Sequence, residues 1–187
     1  MVASLSEGRA RYVMYAEVHH RTKAAGTELA DRLLRIADED AASYSAFGAA
    51  MRMPRETPEE QAARTLAIQA AARVAAEVPL RCVEACLEVV ENAELLAARC
   101  NVNASSDLDV ASLLAEAAAR GAAANGHVNL PAVGDPEWAD EIGTQTNELM
   151  ARITSLSATV RTIVASGELR PPLPTGNVGA TAGAARD

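Results

Sequence analysis

The chain has 187 residues and a formal net charge of −8 at pH 7. That length suits one domain with a sizeable core, and the negative balance argues against nucleic acid or anionic membranes as main partners. Hydrophobic residues make up 49% but aromatics only 3%; alanine, the best helix former, fills much of the difference, and with no sustained period-two run an all-α domain follows.

Three cysteines, Cys82, Cys86 and Cys100, are odd in number and sit in helical patterns. They read as reduced core residues of a cytoplasmic protein. Cys82 and Cys86 lie one helical turn apart, but no other Cys or His stands at zinc-like spacing, so no metal site is expected. No run is long or apolar enough to span a membrane, and no signal peptide is expected ahead of the domain.

Residues 1 to about 21 read as a first helix with a loose stripe of Val2, Leu5, Tyr12 and Ala16, entered without a capping residue. His19 and His20 are adjacent, point to different faces, and read as exposed helix-end histidines. The pattern weakens at Gly26. From Asp31 to Met53 it returns, with Leu33, Ile36, Asp40, Tyr44, Phe47 and Met51 on one apolar stripe. Asp40 is therefore a carboxylate at the centre of a face expected to be buried, which is costly unless it is paired, hydrogen-bonded or protonated. It is either an acid/base group or an aspartate paired with an arginine in the core. A third edge, with Asp38, Ala41, Ala42, Ser45, Gly48 and Ala49, is small enough for a neighbouring backbone to approach.

Pro54 ends that helix. Thr57-Pro58-Glu59-Glu60 starts the next, with Thr57 as cap, Pro58 at the first position and Glu60 completing a capping box. It runs to Val78, where Pro79 is expected to kink or break it, and resumes from Leu80 to Arg99. The polar loop Asn101–Asp107 leads to a helix capped by Ser105 or Ser106 and ending near Asn125-Gly126, a left-handed stop. After a connection from His127 to Gly134, Asp135-Pro136-Glu137 launches a long helix to about Ser166. Its seam of Ile142, Thr146, Leu149, Ile153, Leu156, Val160 and Ile163 suits antiparallel bundle or dimer packing. The expected domain is a multi-helix bundle over 1–168, with 169–187 too poor in apolar surface to fold, a disordered tail.

Taken together, MVASLSEGRARY at 1–12, ADEDAASYSAFGAAMRMPRETPEEQAAR at 37–64, VPL at 78–80, CNVNASSDLDVA at 100–111 and GAAANGHVNL at 121–130 resemble the cyclodeaminase/cyclohydrolase family of folate enzymes. The resemblance implies an all-helical homodimer acting on one-carbon tetrahydrofolate derivatives, with no tightly bound cofactor. The reaction would be hydrolysis of 5,10-methenyltetrahydrofolate to 10-formyltetrahydrofolate, or ring closure of 5-formiminotetrahydrofolate with loss of ammonia. The second activity would need a separate formiminotransferase as partner. The family's acid/base aspartate aligns with Asp40, and the segments containing Asp107 and Asn125 to Asn129 would shape the folate site. Two departures stand out. The family opens with a glycine-rich PGGGS-type segment that this chain does not show, Met1 matching a methionine inside the family's first helix. That implies a late-called start, a fragment, or a lineage that lost part of the site, and with it a third reading, an inactive helical dimer. Gly126 and His127 also replace a usually apolar position, which is expected to loosen that loop.

The family's chemistry moves a proton at a carbon flanked by two folate nitrogens, a task for a carboxyl tuned by an apolar setting. Asp40 is the candidate. Asp38 either hydrogen-bonds a neighbouring backbone or binds the pterin. Arg52 and Arg64, with Arg9 and Arg11, are candidates for the anionic glutamate tail. Asn101 and Asn103 either contact substrate or stabilise their loop, Asp107 is a ligand or a first-turn charge, and Tyr44 belongs to the core.

Overall fold

The structure is a computed structural model that describes residues 1–173. Five α-helices follow one another: α1 (Val2–Ser6), α2 (Ala16–Met51), α3 (Pro58–Leu96), α4 (Ser106–Asn129) and α5 (Pro136–Ser166). Short 3₁₀ segments cover Ala10–Tyr15, Val102–Ala104 and Leu130–Ala132. There is no strand among the described residues, and none of the helices is long and apolar enough to cross a membrane.

The central element is α3, 39 residues long, or about 58 Å at the usual rise. Between Ala72 and Leu96 it is buried on several sides at once, through Ala72, Val78, Val83, Ala85, Leu87 and Val90, as expected of a helix that is apolar all round. α2 covers one side; α4 and α5 cover the others and pack on each other. The seam of α5 is turned inward, Thr146, Ile153 and Val160 being buried, with Ile153 and Val160 in the main core.

Several boundaries differ from the sequence expectation. The first helix is interrupted: after α1, Gly8 takes a left-handed φ of +72°, and the chain re-enters helix only through the 3₁₀ segment. α2 then runs straight through Gly26. A helical glycine costs about 1 kcal/mol against alanine, and here the buried row Val18, Thr22, Leu29 and Ile36 offsets it. The return of α1 along α2 explains His19, which is buried rather than exposed, 1% accessible, with Nε2 2.7 Å from the Arg99 carbonyl oxygen. His20 stays exposed.

The inner face of α2 is also rotated from the predicted stripe. Leu33, Ile36, Asp40 and Phe47 do face inward, but Ser43 and Ala50 are buried where Tyr44 and Met51 were expected. Tyr44 is 81% exposed. Positions 43 and 44 lie about 60° and about 40° to either side of one full helical turn beyond 40, so either can face inward, and the smaller side chains let α3 approach. The small-residue edge is correspondingly turned outward, with Ala41, Ala42, Ser45 and Ala49 exposed.

The Thr57 capping box is present: the Glu60 N–H donates to Thr57 Oγ1 at 3.2 Å, and the Thr57 N–H to Glu60 Oε2 at 3.2 Å. Pro79 neither breaks nor ends α3. Ser105 precedes α4 without capping it; its hydroxyl donates backward to the Val102 carbonyl at 2.8 Å. α4 does not stop at Gly126 but continues to Asn129. Asp135 caps α5 through the Trp138 N–H, and Gly167 closes it at φ +67°.

Residues 170 and 171, expected in the tail, are tied down. The Arg170 N–H donates to the Ala98 carbonyl at 2.9 Å, Tyr15 Oη donates to the Arg170 carbonyl at 2.6 Å, and Arg99 Nε donates to the Pro171 carbonyl at 3.0 Å. Residues 174–187 of that expected tail lie outside the described residues.

Candidate functional site

Asp40 sits half-buried on α2 at the mouth of a cleft of about 290 Å³ between α2, α3 and α4. Leu33, Ile36 and Ala37 line it from α2, Val78, Pro79 and Cys82 from α3. The α4 wall is Ala118, Gly121, Ala122 and Asn125. The cleft exists because that wall has almost no side-chain volume: three of its four residues are Ala or Gly, and they recur on one helical face. A mostly apolar recess with one or two convergent polar groups is the usual form of a small-molecule site, and its size is near the lower end of the usual range of about 300–1,000 Å³.

The polar groups are Asp40 and Asn125. Asn125 Nδ2 donates to Asp40 Oδ1 at 3.1 Å. Asp40 Oδ2 has no hydrogen-bond partner among the described residues. The nearby arginines are engaged elsewhere, Arg81 with Glu39 and Arg32 with Glu88. The arginine-paired alternative for Asp40 is therefore not what the structure contains: its partner is a neutral amide. The carboxylate is also less buried than the stripe suggested, because the cleft opens beside it.

Cys82 shares the cleft wall. Cys86, one turn further and buried, holds the Cys82 thiol down to about 7, against the opposing effects of burial and of the nearby Asp40 carboxylate. The same contact, with burial, pushes the Cys86 thiol up. All three cysteines are free, and no group of three or more metal-binding side chains occurs among the described residues.

The remaining sequence candidates scatter. Asn129, four residues beyond Asn125, donates through Nδ2 to the Ala75 carbonyl at 3.0 Å and to the Asn125 carbonyl at 2.9 Å. Asp38 is exposed on another face of α2 and does not line the cleft. Arg52 and Arg64 stand at the α2–α3 hairpin tip, about 18 Å along α2 from Asp40. Arg64 clamps the turn, donating to the Met51 carbonyl at 3.3 and 3.0 Å, and Arg52 lies back over Gly48. Asn101 is buried and stabilises its loop: its N–H donates to Ser6 Oγ at 2.8 Å, and its Oδ1 accepts from the Asn103 N–H at 3.1 Å. Asp107 occupies the first turn of α4, about 27 Å along that helix from Asn125. Within one chain neither it nor Asn101 joins the Asp40 cleft.

Sequence reasoning missed Cys82 and Pro79 as cleft walls, having read one as core and the other as a breaker. A signal for the α4 wall was available, since Ala118, Gly121 and Asn125 fall at helical spacing on one face.

The chain matches the Formiminotransferase-cyclodeaminase family over residues 1–148. It is 33% identical over 166 residues to a methenyltetrahydrofolate cyclohydrolase from Methylorubrum extorquens, covering 89% of this chain and 80% of that protein. It is 27% identical over 168 residues to a formimidoyltransferase-cyclodeaminase from Gallus gallus, covering 90% of this chain but only 31% of the longer bird protein. In fold it is similar to the crystal structure of a formiminotetrahydrofolate cyclodeaminase from Thermotoga maritima, with a TM-score of 0.78 at 22% identity, covering 89% of this chain and 79% of that one. By the extent of that match and by its likeness to the bacterial cyclohydrolase, this chain belongs to the formiminotransferase-cyclodeaminase family.

Proposed function

We propose that the protein hydrolyses 5,10-methenyltetrahydrofolate to 10-formyltetrahydrofolate, with Asp40 as the acid/base group. The observation that carries the reading is a carboxylate held by one amide at the edge of an apolar cleft, with its second oxygen free to meet a reacting water. Asp40 takes a proton from water as the water oxygen bonds to the cationic methenyl carbon. As the bond from that carbon to the ring nitrogen N5 breaks, Asp40 returns the proton to the departing nitrogen, and the remaining hydroxyl proton leaves to solvent as the oxygen becomes the formyl carbonyl. Leu33, Ile36, Val78 and Pro79 offer a dry surface for the pterin, while Arg52 and Arg64 suit the glutamate tail further along α2. Asp38, Asn101 and Asp107 are not needed in this scheme.

The M. extorquens relative, spanned over 80% of its length, favours hydrolysis. The likeness to the bird formimidoyltransferase-cyclodeaminase favours a second reading, ammonia release from 5-formiminotetrahydrofolate, which the same carboxyl could serve.

The working unit in this proposal is a homodimer. Exposed apolar side chains flank the cleft on both sides, Leu34 and Tyr44 on α2, Leu114 and Val128 on α4. Covering them with a second copy would exclude water from Asp40. The three free cysteines, two of them buried, suit a reducing cytoplasm.

The near-ultraviolet absorbance of 5,10-methenyltetrahydrofolate should fall faster with the protein than in buffer alone. Ammonia release from 5-formiminotetrahydrofolate, measured in parallel, decides between the two activities. Absence of both overturns the folate reading.

A further inference from the structure

We infer that Asn129 is a positioning residue for Asp40, acting through Asn125, and that Pro79 sets it in place; the kinetic part of this inference rests on the proposed role of Asp40. A proline inside a helix has no N–H, so the carbonyl four residues before it loses its intrahelical donor. In α3 that carbonyl belongs to Ala75, whose side chain is buried. A buried carbonyl without a donor is costly, and the donor here comes from a different helix. Asn129 Nδ2 supplies one N–H to Ala75 O at 3.0 Å and one to the Asn125 carbonyl at 2.9 Å. One side-chain amide thus ties the proline-freed carbonyl of α3 to the last turn of α4.

The next link is Asn125 itself. Its backbone carbonyl is held by Asn129, and its side chain donates to Asp40 Oδ1 at 3.1 Å. Between the two asparagines, Gly126 lies against the proline. A Cβ built there would stand 3.5 Å from Pro79 Cβ and 3.6 Å from the Ala76 carbonyl oxygen, so nothing much larger than alanine fits without pushing α4 away. The separation of α3 and α4, the rotation of the α4 terminus and the aim of Asn125 are set at one level of the bundle. This also accounts for α4 continuing past Gly126 instead of stopping there. With both amide N–H groups engaged, Asn129 has no donor left for a substrate.

The test is a cycle of Asn129→Ala, Pro79→Ala and the double variant, read three ways. Asn129→Ala should lower kcat about tenfold with KM within about twofold, as loss of orientation without loss of binding requires. The Asn125 side-chain amide resonances, assigned by NMR, should move toward their position in Asp40→Ala. The melting temperature should also drop, and in the double variant it should recover, because residue 79 then has an N–H for Ala75. Neither kcat nor the Asn125 resonances should recover with it. Unchanged Asn125 resonances in Asn129→Ala overturn the inference. So does a rise in KM at constant kcat, which would mean that Asn129 touches substrate, or recovery of kcat together with melting temperature, which would make its role only structural. A wild-type protein inactive on both folates would count against the folate reading alone, since the resonance shift still tests the positioning.

Discussion

Asp40 could be singled out from the sequence because a carboxylate on an apolar stripe is a local contradiction, visible from spacing alone. Its partner could not. Asn125 lies 85 residues away on another helix, and only the family resemblance brought the two into one site. Cys82 illustrates the opposite failure: a cysteine in an apolar run reads as core, yet its sulfur borders the cleft. With the thiol held near 7 by Cys86, Cys82 is mostly thiol at pH 6 and mostly thiolate at pH 8. Because the thiolate is the nucleophile, alkylation by iodoacetamide should quicken about tenfold between those pH values. Peptide mapping should place the label on Cys82 while buried Cys86 and Cys100 stay unlabelled in the native protein. A rate that climbs only above pH 8.5, or labelling spread over all three, would contradict this environment.

At the scale of the element, one cap was foreseen and another was not. Thr57 with Glu60 formed the capping box its spacing suggested, and Asp135, expected to launch α5, does so by accepting the Trp138 N–H; the Ser105 or Ser106 cap expected for α4 did not form. Replacing Thr57 with alanine should cost about 1 kcal/mol, lowering the melting temperature by about 2–4 °C for a domain of this size; no change would mean that the hairpin tip unfolds before the rest. Gly26, Pro79 and Gly126 were each read as punctuation, and none ends a helix. Their local penalties are outweighed by partners the sequence does not display: the buried row along α2, the Asn129 amide on Ala75, and the packing of α4 against Pro79. Gly8, by contrast, adopts a left-handed φ and does interrupt the pattern. Which glycines end helices depended on tertiary packing rather than on residue type.

For the whole molecule, the α5 seam is turned inward as bundle packing, with Thr146, Ile153 and Val160 buried and Ile142, Leu149, Leu156 and Ile163 half-buried. Two lines of exposed side chains are candidates for a dimer surface: Leu34, Ala37, Ala41 and Tyr44 on α2, and Leu114, Ala118, Gly121 and Val128 on α4. They lead into the same cleft. Light scattering should give twice the chain mass, and Leu114→Glu should shift it to the monomer and reduce turnover, because burying an unpaired carboxylate at an interface is costly. A wild-type monomer with full activity would remove the dimer from the proposal while leaving the cleft intact. The net charge of −8 does not attract an anionic folate, so Arg52 and Arg64 would have to supply the local positive field near the hairpin tip.

The central claim is that the Asp40 carboxyl moves the proton in a folate one-carbon reaction. The most direct measurement is the turnover of 5,10-methenyltetrahydrofolate by Asp40→Asn, with circular dichroism confirming an unchanged helical fold. Asparagine preserves the size and can still pair with Asn125 but cannot accept a proton, so turnover should fall to the buffer rate. A folded Asp40→Asn protein that keeps the wild-type rate would contradict the account.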